Sequence, residues 1–230
     1  MNHNQTNKIV NHDAKRENYT SIPECVLAEP KDKNQLSQAV QQALKNTKSI
    51  LITRIQAAQI PTLQDLSAQD ELPLVFDKYH RTAVMGDFNP IENNPISCAV
   101  LSAGTSDDYL VEEIGFCLNY FGVRISKFSD IGVAGIHRHK SALVEIENMN
   151  TVRCIIVVAG QEGALFPIIA AQTKLPVIAV PSSVGYGFGG KGITALQTAL
   201  QSCSPGVTVV NIDNGFGAAT FVKKMMNLFD

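Results

Sequence analysis

The chain has 230 residues, 45% hydrophobic and 17% charged, with a formal net charge of −2. That balance belongs to a globular chain able to bury a sizeable core, and it excludes a disordered one. There is no long basic run, no apolar stretch of membrane-spanning length and no signal-peptide core in the polar opening MNHNQTNKIVNHDAKREN, so neither nucleic acid nor a membrane is expected as partner and a cytoplasmic location is.

Residues 1–95 and 96–230 differ in character. The first part is rich in Gln, Asn and Lys and reads as a small α+β domain. It has a helix over Lys33–Thr47, a strand over Ser49–Arg54 and a further helix from Leu63–Ser67 onward. The Pro- and Asn-rich stretch NPIENNP at 89–95 marks the boundary. From residue 96, apolar runs alternate with helical patterns: ISCAVL (96–101), VRISKF (123–128), CIIVVA (154–159), PVIAVP (176–181) and VTVVNI (207–212). Between the first two runs, Leu110, Ile114, Cys117 and Phe121 recur at helical spacing. The pattern from Thr105 to Asp108 reads as a capping box that starts this helix. Such alternation predicts an α/β fold, a parallel five-stranded sheet flanked by helices in a flavodoxin-sized three-layer sandwich.

In such a sheet, ligands bind where the strands exit at their carboxyl ends. Here the five exits read SAGTSDD, DIGVAGIHRH, GQEGAL, SSVGYGFGGKG and DNGFGA, each with glycine and polar or charged groups. SAGTSDD offers the amides of a helix start to an anion, or is simply a capped start; Asp107 and Asp108 favour the helix dipole and are equally able to hold a ribose. His137 and Arg138 suit proton transfer and phosphate or carboxylate binding. The loop 182–192 matches neither a P-loop nor a GxGxxG fingerprint. It reads as a hinge or as a wall whose glycines (185, 187, 189, 190) let backbone approach a ligand. Glu162 and Asp213 each follow a core strand. They are read as a pair at neighbouring strand ends, able to act as acid or base with pKa values raised by burial, or as structural caps.

Five cysteines, Cys25, Cys98, Cys117, Cys154 and Cys203, fit neither a metal-ligand spacing nor a disulfide framework. Cys98, Cys117 and Cys154 read as small buried hydrophobes. Cys203 has polar, turn-forming neighbours. It follows a helix and precedes a strand, which places it at the amino edge of the sheet, opposite the ligand site. Either it is inert, or it serves a neighbouring subunit.

The stretches AGTSDD, GVAGIHR, VVAGQEGAL, PVIAVPSSVGYG and SCSPGVTVVNIDNGFGAA together resemble the LarB family of pyridinium-3,5-biscarboxylic acid mononucleotide synthases, which act in nickel-pincer cofactor biosynthesis. IPECVLAEPK (22–31), ITR (52–54) and DKYHR (77–81) resemble it more faintly. The C-terminal part is similar in turn to PurE-type aminoimidazole ribonucleotide carboxylases and mutases. Where those carry a histidine in a loop ending AHLPG, this chain has Ala164, and where they have no thiol it has Cys203. Within LarB the chain departs at Gln161 and Phe166, which stand where the family has MEG and ALP. It departs again in YTSIPE (19–24), which lacks the Arg and Gly expected before the PE pair.

The resemblance implies a homo-oligomer with sites shared between subunits. It also implies carboxylation of nicotinic acid adenine dinucleotide by carbon dioxide or bicarbonate, then hydrolysis to AMP and the dicarboxylated mononucleotide. Cys203 is implied as nucleophile toward ring carbon 4, and Glu162 or Asp213 as base. Substrate contacts are expected from Gly104, Thr105, Ser106, Asp107, His137, Arg138, Gly160, Ser183, Gly185, Tyr186, Gly187 and Asn214. No tightly bound cofactor is expected; magnesium would assist phosphoanhydride cleavage, although no dedicated ligand set is visible. The alternatives are a PurE-like carboxylase or mutase acting on an aminoimidazole ribonucleotide, and a non-catalytic adenylate-binding module.

Overall fold

A computed structural model describes residues 12–13 and 15–229; most of the polar opening segment therefore lies outside the described residues. The chain divides into two compact units, 1–89 and 90–230. The stretch at 89–95 straddles that division. Its Ile91 amide donates to Asn119 Oδ1 (3.2 Å) and the Asn94 side chain donates to the Gly122 carbonyl (3.3 Å), which ties it to the second unit.

In the first unit the helices are α1 (Arg16–Thr20), α2 (Lys33–Leu44) and α3 (Ile60–Gln69), and the strands are β1 (Val26–Leu27), β2 (Ser49–Thr53), β3 (Leu74–Phe76) and β4 (Ala83–Gly86). Strand order is β1-β2-β4-β3, with β1 parallel to β2 and the other pairings antiparallel. Asp32 starts α2 with a reciprocal box: its carboxylate accepts from the Gln35 amide at 2.8 Å, and its own amide donates to Gln35 Oε1 at 3.1 Å. The helix stops at Leu44, short of the expected Thr47; just past it the Asn46 amide bonds the Ala43 carbonyl only three residues back (2.9 Å), and the Thr47 amide and hydroxyl share that same acceptor. Leu36, Val40, Ile50, Ile52, Leu63 and Met85 fill the core of this unit. The DKYHR stretch is a closed hairpin loop in which Asp77 Oδ1 accepts from the amides of Tyr79 (3.1 Å) and Arg81 (2.9 Å).

The second unit runs β5 (Ile96–Ser102), α4 (Asp108–Tyr120), β6 (Arg124–Phe128), α5 (Arg138–Asn148), β7 (Cys154–Ala159), α6 (Leu165–Ala170), β8 (Val177–Pro181), α7 (Ile193–Leu200), β9 (Val207–Val209) and α8 (Gly215–Met226). All pairings are parallel and the order is β6-β5-β7-β8-β9. Within this unit that is second-first-third-fourth-fifth, the doubly wound order whose switch point lies between β5 and β7. Ala99, Leu101, Ile155, Val157, Val177 and Ala179 point to one face, where Leu143, Ile146, Phe166, Ile169 and Ala195 cover them. The alternate residues Cys98, Val100, Cys154, Ile156, Ile178 and Val180 are equally buried. Their side is closed by α4 and α8, which pack on each other. Both faces are covered, which is why these strands read as unbroken apolar runs. The last strand is shorter than VTVVNI suggested. After Val209 only single bonds follow β8, from the Val210 amide to the Ala179 carbonyl and from the Asp213 amide to the Pro181 carbonyl. Among the described residues no helix is long and apolar enough to cross a membrane.

Candidate functional site

A cavity of about 270 Å³ opens at the carboxyl edge of the second unit. Its walls come from the exits of four strands: Ala103–Asp107 without Thr105, Gly132–Ala134, Ala159–Leu165 without Gly163, and Val184. The site therefore sits at the switch point, where the helices after β5 and β7 diverge to opposite faces and leave a crevice. Two glycines make it possible. A Cβ on Gly160 would fall 2.0 Å from the Val184 carbonyl oxygen, and one on Gly132 would fall 2.6 Å from that of Ala103. Any side chain at either position would push the walls apart.

Asp107 is the chemically distinctive lining group. It is only 3% exposed, its Oδ2 accepts from the Gly104 amide at 3.1 Å, and its Oδ1 has no hydrogen-bond partner. Burial raises its pKa. The Ser182 hydroxyl and the Gly104 amide oppose that rise, while the charge of Asp213 adds to it. The bond from Gly104 also corrects the expected helix start. Residues 105–107 form a 3₁₀ turn ahead of α4, and the carboxylate reaching back is that of Asp107, not Asp108. Thr105 and Ser106 are left exposed at the rim.

Glu162 is exposed and lines the cavity, next to Gly160. Asp213 does not line it. The expectation that these two carboxylates leave neighbouring strands is overturned by the order, since β8 lies between β7 and β9. Asp213 instead accepts two hydrogen bonds on Oδ1, from the Tyr109 hydroxyl and the Ser183 amide, each 2.8 Å. The phenol of Tyr109 has its pKa raised by burial and by that carboxylate. Asn214 caps α8, accepting from the Gly217 amide at 2.8 Å.

The remaining expected residues fall outside the cavity lining. His137 is exposed, and Arg138 pairs with Asp130, its Nη1 lying 3.0 Å from both Oδ2 and the carbonyl oxygen of that residue. The loop after β8 carries Tyr186 outward at 82% exposure, beside a wholly exposed Phe188; Gly185 and Gly187 take positive φ there. Cys203 lies in the turn between α7 and β9 and is exposed. Cys25 is half-buried, its thiol pushed up to about 12 by burial, and the other three are buried. Among the described residues no three His, Cys, Asp or Glu side chains gather into a possible metal site.

Sequence reasoning missed Tyr109, Glu113, Asp130 and Ser182. Glu113 alone left a signal, as a carboxylate inside the apolar stripe of α4. It is 2% exposed and accepts from the Phe216 amide at 3.1 Å.

Comparison with known proteins agrees with this architecture. Residues 97–230 match the AIR carboxylase family model and residues 4–86 match the LarB/PurE-like N-terminal domain. An uncharacterized protein of Methanocaldococcus jannaschii is 39% identical over 212 residues, spanning 91% of this chain and 80% of the relative. The N5-carboxyaminoimidazole ribonucleotide mutase of the same organism is 30% identical over 133 residues, 57% of this chain and 79% of that enzyme. Treponema denticola PurE superimposes with a TM-score of 0.50 at 22% identity, covering 58% of this chain and 81% of that one. A PurE2 variant from the same organism gives the same TM-score at 21% identity, covering 58% and 80%. With one domain model on each unit and a PurE fold around the cavity, the chain belongs to the LarB family, a LarB/PurE-like N-terminal domain joined to a domain of the PurE-related carboxylases and mutases.

Proposed function

We propose that the protein carboxylates the pyridinium ring of nicotinic acid adenine dinucleotide and then hydrolyses the dinucleotide, releasing AMP and pyridinium-3,5-biscarboxylic acid mononucleotide. One observation carries this reading: Cys203 is the exposed cysteine of the chain, whereas among the described residues no cysteine or histidine lines the cavity. A PurE-like cavity without an imidazole needs another way to activate its substrate, and a cysteine can supply it as a nucleophile.

The thiolate of Cys203 adds to ring carbon 4 and the ring nitrogen takes up the electron pair, leaving a neutral enamine. Carbon 5 then attacks carbon dioxide, forming the new carbon–carbon bond and an iminium. A base removes the proton from carbon 5, and expulsion of the thiolate restores the pyridinium with its second carboxylate. Glu162 is the carboxylate for that proton, being both exposed and at the cavity wall. Covalent catalysis of this kind divides one difficult carboxylation into easier steps. Water then cleaves the phosphoanhydride. In this reading Cys203, at the amino edge, serves the cavity of a neighbouring copy in a homo-oligomer.

The second reading, an aminoimidazole ribonucleotide carboxylase or mutase, is favoured by the AIR carboxylase match. The two separate in one assay. Protein, nicotinic acid adenine dinucleotide and labelled bicarbonate should give a labelled pyridine product with release of AMP, and Cys203→Ser should abolish both. Label in an aminoimidazole ribonucleotide with full activity of Cys203→Ser would select the second reading. Binding without turnover of either substrate would leave an adenylate-binding module.

A further inference from the structure

Asp213 occupies the turn between β9 and α8. It is half-buried and takes a left-handed φ of 53°, a conformation that Asp and Asn tolerate better than other side chains. Its amide is bonded to the Pro181 carbonyl at the end of β8 (2.9 Å). Its Oδ1 gathers the Tyr109 hydroxyl from α4 and the Ser183 amide from the loop after β8. That loop continues directly into the cavity wall. The Val184 amide donates to Ser182 Oγ at 3.1 Å, and the Val184 carbonyl accepts from the Gln161 amide at 3.1 Å, beside Glu162. The same face of α4 fixes the far side of the turn, because Glu113, one helical turn after Tyr109, holds the Phe216 amide.

We infer that Asp213 is a positioning residue, latched by the Tyr109 hydroxyl, which sets the Ser182–Ser183 segment leading into the Val184 wall of the cavity and does not carry the substrate's proton. The inference deepens the carboxylase reading and rests on it for the reaction, but the latch itself is testable without substrate. A latch needs an oxygen that accepts two hydrogen bonds in a left-handed turn, and asparagine supplies both. A proton carrier needs a carboxylate, which asparagine is not.

The test uses the full chain with Asp213→Asn, Asp213→Ala and Tyr109→Phe. Amide exchange at Ser183, followed by NMR with no ligand added, should stay within about threefold of the parent rate in Asp213→Asn. It should quicken about tenfold in Asp213→Ala and by an intermediate factor in Tyr109→Phe, as expected for losing two bonds or one. Turnover of nicotinic acid adenine dinucleotide with bicarbonate should fall no more than about fivefold in Asp213→Asn and about fivefold in Tyr109→Phe. In Asp213→Ala it should fall about a hundredfold, the effect of a displaced wall. Asp213→Asn as inactive as Asp213→Ala would overturn the inference, and so would Ser183 exchange indifferent to all three substitutions. If the parent itself turns over nothing, the carboxylase reading fails while the exchange series still decides the latch. Asp213→Asn and Tyr109→Phe change almost no volume, so the test survives a failure of Asp213→Ala to fold.

Discussion

The two edges of the second sheet are built to opposite plans. At the carboxyl edge, four strand exits converge on one cavity, glycines let backbones touch, and a carboxylate is 97% withdrawn from water with one oxygen unpartnered. At the amino edge, Cys203 stands exposed in a turn fixed by its neighbours. There the Ser204 hydroxyl donates to the Pro167 carbonyl at 3.0 Å and the Ser204 amide to Ser202 Oγ at 3.2 Å. One edge encloses a cavity that no described cysteine or histidine lines, and the other exposes a thiol. The contrast is intelligible if the two edges of different copies work together, and the sharpest experiments attack that relation.

The largest effect is expected at the sulfur. Cys203→Ser should lower turnover by about a thousandfold or more, since under the proposed mechanism it removes the nucleophile. Its circular dichroism and melting should match the parent, because the residue is exposed. Glu162→Gln should lower kcat by about a hundredfold with KM little changed, the usual scale for a positioned base. The two inactive variants together sharpen the comparison. Mixed oligomers of Cys203→Ser and Glu162→Gln should recover activity if the edges of different copies meet, and should recover none if each chain serves its own cavity.

The fold of the second unit was legible because its physics is local. CIIVVA and its counterparts are apolar without alternation, which only a doubly covered parallel strand satisfies, and every exit carried glycine and polar groups. The cavity's location followed from that. Its internal wiring did not, because it depends on encounters between distant segments. Tyr109 meets Asp213 across 104 positions, and nothing near either residue announces the other. The pairing of Glu162 with Asp213 failed for a related reason: chain order does not reveal that β8 lies between their strands. The capping box missed by one position. Gly104, extended and lacking a side chain, offers its amide to Asp107, so the turn closes one residue earlier than the Thr105–Asp108 pattern implied.

The cavity wall itself predicts a smaller, structural effect. Gly160→Ala would set a methyl 2.0 Å from the Val184 carbonyl oxygen, a contact that only backbone movement relieves. We expect a loss of about 2 kcal/mol in urea unfolding, in the range of overpacked sites. The corresponding change at the exposed amino-edge turn, Ser202→Ala, should cost less than about 1 kcal/mol.

The smallest effect is the most specific to the carboxyl edge. Burial is the main cause of the raised pKa of Asp107, so the folded protein holds its proton more tightly than the unfolded chain does. Below the ordinary value of 3.8 both states are protonated and the group has no pH-dependent influence. As pH rises from there the unfolded chain ionises first, and stability falls until the folded carboxyl ionises as well. Asp107→Asn has no such proton. The difference in unfolding free energy, variant minus parent, should therefore be constant below that ordinary value, climb as pH rises above it and level off once the folded carboxyl has ionised. A difference that stays flat from pH 3 to pH 8 would mean that the buried oxygen is as well solvated as one at the surface.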